Sequence, residues 1–378
     1  MTPSAFPDGR PKSPRSVESF HEALALSSRR LGFSVTQGCP LRCGHCSVGA
    51  APELHANRYG RDFTGLVVGQ LDALAEAGIE SIDFTGGEPT LVADFVATVS
   101  RAASARGITC GIVTAAHWAT TERQIDRTLE RFGAIDHWDI STDVYHLEFV
   151  PLRAVESAFR RLEAAGKEPL IRIAYHEPMT VPDAELIQAA MAFAGRRVAF
   201  QPIGPVGRGI EVAHSERVGE ADWDRGPCPT TGPLVQWNGR VAPCCAPASH
   251  ETHDHPLWLG DARQEPLTTI VARWRTHPLI QTLRVWGFAP LRAWFSEAGV
   301  ADGAVLRERA CDLCVQWLRD PQLCALAAER AGRLEHRVRL AHALLTHFEE
   351  PWLDRLLQQE ARRYLATGSW PEPGLLAA

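Results

Sequence analysis

Apolar residues in the first half of the chain gather into six short runs, at 31–36, 79–84, 108–114, 135–141, 169–175 and 197–202. Each has strand length and is flanked by turn residues, the pattern of a buried β-strand. Between the runs lie longer Ala/Leu/Arg-rich segments, at about 65–77, 92–106, 121–132, 152–166 and 182–194. Their apolar positions recur at helical spacing. Strands separated by crossover helices predict a parallel sheet with helices on one face. The alternation stops near residue 216, where clustered cysteines and tryptophans take over. From about 322 to 366, Leu and Ala recur at helical spacing among Arg and Glu, which predicts a helical tail. The first 30 residues hold Pro, Ser and charge without an apolar core. They read as a disordered tail rather than a signal peptide. The expected organisation is a tail at 1–30, a barrel-like domain at 31–215, a smaller domain at 216–325 and a helical tail at 326–378.

Composition narrows the classes. With 378 residues, 45% of them hydrophobic and 22% charged, the chain has enough apolar surface for a large core and a second, smaller unit. A net charge of −6 argues against broad nucleic-acid binding. No stretch holds 18 consecutive apolar residues, so no membrane span is expected. Seven of the ten cysteines fall in Cys-X3-Cys-X2-Cys, Cys-Cys and Cys-X2-Cys groups, which points to metal binding rather than disulfides. That usage predicts a reducing, cytoplasmic location.

The first group is Cys39-Pro-Leu-Arg-Cys43-Gly-His-Cys46. Three close thiolates can hold three irons of a 4Fe–4S cluster and leave the fourth iron open. On residues alone, a zinc site with a distant fourth ligand and a set of buried thiols are the other readings. A second motif, Thr85-Gly86-Gly87-Glu88-Pro89, follows the strand at 79–84. Paired glycines allow close backbone approach, and a carboxylate or carbonyl oxygen suits an ammonium donor.

Together these motifs resemble the radical S-adenosylmethionine (SAM) superfamily, over roughly residues 31–325. The resemblance implies a partial (β/α)6 barrel in the α/β class. It implies a 4Fe–4S cluster on Cys39, Cys43 and Cys46, whose open iron chelates SAM. Reductive cleavage then releases a 5′-deoxyadenosyl radical. The edge Gly86, Gly87, Glu88 and Pro89 is implied to receive the SAM amino group. His45 stands where the family usually has an aromatic residue, and is expected to pack near the cluster without ligating it. Ser141 and Asp143 resemble a Ser-X-Asp segment that meets SAM or substrate, with helix capping as the alternative. Arg172 is a candidate for the SAM carboxylate or an anionic substrate group, with a structural salt bridge as the alternative. Tyr145 and His146 are possible proton or radical donors or ordinary packing residues. The Gly/Pro loop at 201–209 is implied to meet the adenine, and otherwise is a tight connection.

Further on, Cys228, ten residues, Gly239, four residues and Cys244 resemble the entry to a SPASM or Twitch extension. Residues 234–241 read as a hairpin with Asn238-Gly239 as a two-residue turn. Cys311-X2-Cys314 and Cys324 follow. The resemblance implies one auxiliary 4Fe–4S cluster on Cys228, Cys244, Cys311 and Cys314. Cys245 is then a neighbour and Cys324 a spare. Asp320 stands where the longer SPASM form has a cysteine, and is a conceivable oxygen ligand. Cys110 reads as a buried thiol, His250, His253 and His255 as a solvated loop, and the tryptophans as packing residues.

Two enzyme readings compete. One is oxidative modification of a peptide. The other is dehydrogenation or rearrangement of a small molecule such as a sugar or aminoglycoside. An iron–sulfur electron carrier is the non-enzyme alternative, and it has no need of an open iron or a GGEP edge. A reductant such as flavodoxin or ferredoxin is implied, and a separate leader-binding protein is compatible with the short segment before the first strand.

Overall fold

Six parallel strands stand where the apolar runs predict them: β1 (Arg30–Ser34), β2 (Ser81–Thr85), β3 (Thr109–Thr114), β4 (His137–Ser141), β5 (Glu168–Tyr175) and β6 (Val198–Pro202). They pair in chain order. The computed structural model describes residues 24–204, 206–212, 226–228, 230–245, 257–300, 310–348, 350 and 355–367. Helices α1 (Arg61–Val68), α2 (Leu71–Glu76), α3 (Ala93–Ser104), α4 (Glu122–Arg131), α5 (Leu152–Ala164) and α6 (Val181–Ala194) fill the connections. The helix expected over 65–77 is two helices broken at Gly69-Gln70, because glycine is a poor helix former. Phe63, Val67, Leu71 and Leu74 nevertheless stay buried across the break.

The α/β layering follows from which strand faces are apolar. Phe33 and Phe84 sit opposite each other on β1 and β2. Phe33 meets Phe95 of α3 at 5.8 Å, and Tyr59 stacks on Phe63 at 4.3 Å. Such ring contacts add to the area each side chain buries. The register sets Ser34 beside Thr85 and Ser141 beside Arg172, so the loops that follow all leave at one edge.

The cysteine-rich region extends the same sheet. Strand β7 (Leu234–Gln236) runs parallel to β1 on its free side, followed by antiparallel β8 (Arg240–Ala242) and β9 (Gly260–Asp261). The hairpin forms, but its loop differs from the expected two-residue turn. Trp237, Asn238 and Gly239 make the loop, the Gly239 N–H donates to Gln236 O at 2.8 Å, and Gly239 has φ +91°. A three-residue loop with glycine in the left-handed region is the next favoured hairpin. The expected boundary at 215/216 lies outside the described residues, as do His250, His253 and His255.

The C-terminal part is helical as expected. After a short α7 (Gly209–Val212) come α8 (Leu267–Thr276), α9 (Pro278–Trp286), α10 (Ala289–Glu297), α11 (Ala310–Arg319), α12 (Pro321–Gly332), α13 (Leu334–His347) and α14 (Arg355–Thr367). Trp274 and Trp317 are core residues. No helix among the described residues is long and apolar enough to cross a membrane.

The expected disordered tail at 1–30 needs correction at its end. Leu24 is buried with Leu340, Leu344 and Phe348. Ser27–Arg29 form a 3-10 turn with Ser27 and Ser28 buried. Arg284 Nε donates to Leu24 O at 3.0 Å, and Arg275 Nε to Ser28 O at 2.9 Å. Buried guanidinium groups need acceptors, and this segment supplies them. Three apolar residues at 24–26 were too few to announce it.

His336 gives this helical region a pH dependence. Its Nε2 lies 2.7 Å from Thr282 Oγ1, and its ring is edge-on to Trp294 at 4.9 Å. Burial, with Arg339 nearby, lowers its pKa from 6.5 to about 4. Between those values the unfolded chain binds the proton more readily, so stability falls as pH drops from 6.5 to about 4. Thermal denaturation across that window should decline less steeply for His336→Gln than for the wild type. Parallel profiles would contradict the assignment.

Candidate active site at the C-terminal edge of the sheet

The loop after β1 presents Cys39, Cys43 and Cys46, all free thiols. Burial pushes the Cys39 thiol up to about 12, and the negative charges of Glu88, Cys43 and Cys46 add to it against a backbone hydrogen bond from Leu41. The three thiols share one eight-residue loop, next to the buried carboxylate of Glu88. A bound cation offsets the burial and the neighbouring charges that raise the Cys39 thiol. The donor set fits an iron–sulfur cluster.

Backbone contacts hold this loop. Gly87 N donates to Thr36 O at 2.6 Å and Glu88 N to Gly38 O at 2.8 Å. Cys39 N donates to Ala51 O at 3.2 Å. A Cβ at Gly87 would stand 2.1 Å from Gly38 O, and one at Gly86, which has φ +130°, 2.5 Å from Thr36 O. The paired glycines thus serve close approach, as expected, but the backbone that approaches is the cysteine loop itself.

Glu88 is almost wholly buried. Oε1 accepts from Thr90 N (3.2 Å) and Thr90 Oγ1 (2.6 Å), and Oε2 from Ala115 N (3.0 Å). The Thr114 hydroxyl lies within 3.1 Å of both oxygens. Burial pushes the Glu88 carboxyl up, but His117, Thr90 and Ala115 outweigh it and hold the pKa below its usual value. Both oxygens already have protein donors, so this carboxylate ties the end of β2 to the end of β3. Pro89, also buried, opens the 3-10 turn Pro89–Val92.

The helix after β4 is preceded by Pro151 without a side-chain cap, so Asp143 closes a turn instead of capping that helix. Its Oδ1 accepts from Tyr145 N (3.0 Å) and His146 N (3.1 Å). Its Oδ2 lies 2.8 Å from His146 Nδ1 and 3.0 Å from His45 Nε2. Burial raises the Asp143 carboxyl, but His146 and then His45 pull it well below the carboxylate range. Burial lowers His146, yet Asp143 and a hydrogen bond to Cys43 lift it to about 10. Asp143, expected at the SAM ribose or substrate, instead joins β4 to the cysteine loop through two imidazoles. His45, on that loop, stacks on Tyr145 at 5.0 Å. Ser141 is half-buried on the same edge.

Arg172 takes the salt-bridge alternative. Its Nε and Nη2 donate to Asp139 Oδ2 at 2.9 and 2.7 Å, with Asp139 buried. The Asp139 charge raises the Arg172 pKa. Residues 206–209, expected against an adenine, pack on the cysteine loop.

The sequence reading missed a hydrogen-bonded chain at this edge. Tyr145 Oη lies 2.8 Å from His176 Nε2, and His176 Nδ1 lies 3.0 Å from the buried Asp183. Thr180 and Asp183 form a capping box at the start of α6, a four-residue pattern that was there to be read.

The second cysteine set comes from separate elements. Cys311 and Cys314 lie one turn apart on α11, and Cys324 is buried on α12. The Cys228 N–H donates to Leu283 O at 2.8 Å. Burial raises the Cys228 thiol, and charges at Cys311, Cys314 and Cys245 add to it. Burial raises Cys314 likewise, with Cys244, Cys311 and Cys324 behind it. Asp320 is not aimed at this group: its Oδ1 caps α12, accepting from Gln322 N (2.8 Å) and Leu323 N (3.1 Å). Cys110 is buried in the core, as read.

Residues 33–148, which hold both motifs, match the family model of the radical SAM superfamily. The chain is 21% identical over 279 residues to a Bacillus subtilis (strain 168) protein named "Putative peptide biosynthesis protein YydG", covering 71% of this chain and 83% of that protein. It is 34% identical over 113 residues to the PqqA peptide cyclase of Bradyrhizobium diazoefficiens, covering 30% of this chain and 27% of the relative. Among solved structures, anSMEcpe with bound AdoMet is similar at 14% identity and a TM-score of 0.48, over 84% of this chain and 98% of that one. Streptococcus suis SuiB bound to S-adenosylmethionine is similar at 17% identity and a TM-score of 0.41, over 68% of this chain and 67% of that one.

Proposed function

We propose that this chain is a radical SAM enzyme that modifies a peptide oxidatively. The observation that carries the reading is the placement of Cys39, Cys43 and Cys46 on one loop pinned by Gly86, Gly87 and Glu88. Those three thiols would hold the SAM-binding 4Fe–4S cluster. When bound, cluster and SAM supply a 5′-deoxyadenosyl radical, which takes a hydrogen atom from an unactivated carbon. The rest is the work of the protein. The Gly86–Pro89 turn sets the loop height, and its backbone is the part of the motif left for the SAM amino group. Ser141 lies at the mouth for SAM. Asp143 acts through His45 and His146, and Arg172 offers its guanidinium face beside Asp139. Cys228, Cys244, Cys311 and Cys314 would hold one auxiliary 4Fe–4S cluster, a suitable electron acceptor beside the site.

A peptide substrate is supported by the two relatives, both named for work on peptides. A low-potential one-electron donor such as flavodoxin or ferredoxin is the partner this chemistry needs. The test uses the reconstituted enzyme, SAM, a reductant and any short precursor peptide encoded beside its gene. The peptide should lose two hydrogens, with about one 5′-deoxyadenosine formed per modification. With peptide deuterated at the reacting carbon, the label should appear in 5′-deoxyadenosine. A product isomeric with the peptide would contradict the oxidative reading.

A further inference from the structure

Among the described residues, the nine-stranded sheet is not closed by its own ladder: strand β6 ends it and pairs with β5 alone. After β6 the chain docks instead on the cysteine loop that follows β1. Arg208 makes this contact in three ways. Its backbone N–H donates to Cys46 O at 3.0 Å, its Nε to Cys43 O at 3.0 Å and its Nη2 to Ala50 O at 2.8 Å. The flanking glycines allow the approach. A Cβ at Gly207, which has φ +55°, would stand 2.4 Å from Ser47 O and 2.6 Å from Cys46 O. One at Gly209 would stand 3.3 Å from His45 O. Two of the three carbonyls that Arg208 holds belong to thiols assigned above to iron.

We propose that Arg208 is a positioning residue. It locks the cysteine loop from the far side of the barrel mouth and sets a fixed positive charge beside the Cys43 corner of the cluster. This inference rests on the reading of Cys39, Cys43 and Cys46 as cluster ligands. The lock depends on the guanidinium fork, which reaches two carbonyls at once; a lysine ammonium is a single point of charge. The charge acts separately. Reduction makes the cluster more negative, and a nearby cation favours that state and raises its potential. Arg208→Lys therefore keeps the charge and loses the fork, and Arg208→Gln loses both.

The test uses the full chain, reconstituted with iron and sulfide, as wild type, Arg208→Lys and Arg208→Gln. Two quantities are followed on the cluster whose EPR signal responds to SAM: iron release to a chelator and the midpoint potential. With charge-assisted hydrogen bonds lost, Arg208→Gln should release iron about tenfold faster and show a more negative midpoint. Arg208→Lys should release iron faster than the wild type with its midpoint close to the wild-type value. The proposal falls if Arg208→Gln keeps either the wild-type release rate or the wild-type midpoint. Should Arg208→Gln fail to fold by circular dichroism, Arg208→Lys decides, and a wild-type release rate there overturns the lock. A wild type that forms no SAM-responsive cluster overturns the cysteine assignment itself, and Arg208's role with it. Unchanged variants of a loaded wild type overturn the role of Arg208 alone.

Discussion

Replacing Cys39, Cys43 and Cys46 together by Ala should remove about four irons per chain and abolish formation of 5′-deoxyadenosine from SAM. Each thiol is assigned one iron, and no other cysteine lies on this loop. The loop backbone should survive the change, because Thr36, Gly38 and Cys39 are held through main-chain bonds to Gly87, Glu88 and Ala51. The variant should therefore fold and keep the iron of the second site, with an iron–sulfur absorbance band and an EPR signal after reduction. Full retention of iron and of SAM cleavage would overturn the first site. A folded, reconstituted variant free of iron would overturn the second. If Cys311→Ala then leaves the remaining cluster intact while Cys324→Ala destroys it, the second site stands with a different ligand set.

The largest effect on stability is expected at Arg284. Its side chain and that of Glu350 are each 1% exposed, and Arg284 Nη2 lies 2.8 Å from Glu350 Oε1. Burial works against both charges, raising Glu350 and lowering Arg284, and each partner opposes that shift in the other. Arg284 also donates to Leu24 O and Gln281 Oε1, while Ser28 Oγ donates to Glu350 Oε1 at 2.8 Å. Arg284→Met leaves a buried carboxylate without its main partner and releases the segment before β1. Breaking one side of a buried pair costs about 3–5 kcal/mol. Glu350→Gln keeps the carbonyl acceptors of Arg284 and should cost less, about 1–3 kcal/mol. Chemical denaturation followed by circular dichroism measures both. An Arg284→Met variant within about 1 kcal/mol of the wild type, the ordinary range for single substitutions, would contradict this account.

How much was legible follows from what kind of contact each feature depends on. The six strands could be read because each is a short apolar run between turn residues; β2, β3 and β4 are buried on both faces, while β5 alternates and β6 stays partly exposed. The thiol loop and the GGEP turn could be read because their chemistry sits within a few residues. Reading fell short where the deciding contact is remote. Glu88 looks like a ligand-facing carboxylate in its own pentapeptide, and only Thr114 and Ala115, brought over by β3, show where it is spent. Asp143 likewise meets His45 from a loop almost a hundred residues earlier. Arg208 is one arginine among many until the loop after β6 reaches Cys43 and Ala50. The order at 24–30 depends on Arg275 and Arg284, which no local pattern connects to it. The split at Gly69-Gln70 and the three-residue hairpin loop are smaller misses, in which local glycine conformation decided the boundary.

The central claim is that the Cys39–Cys46 loop carries a cluster that cleaves SAM. The chain, reconstituted without oxygen and reduced with dithionite, should change its EPR signal when SAM is added. It should then yield 5′-deoxyadenosine and methionine in equal amounts. An iron-loaded, fully reduced protein whose EPR signal ignores SAM and which forms no 5′-deoxyadenosine would contradict it.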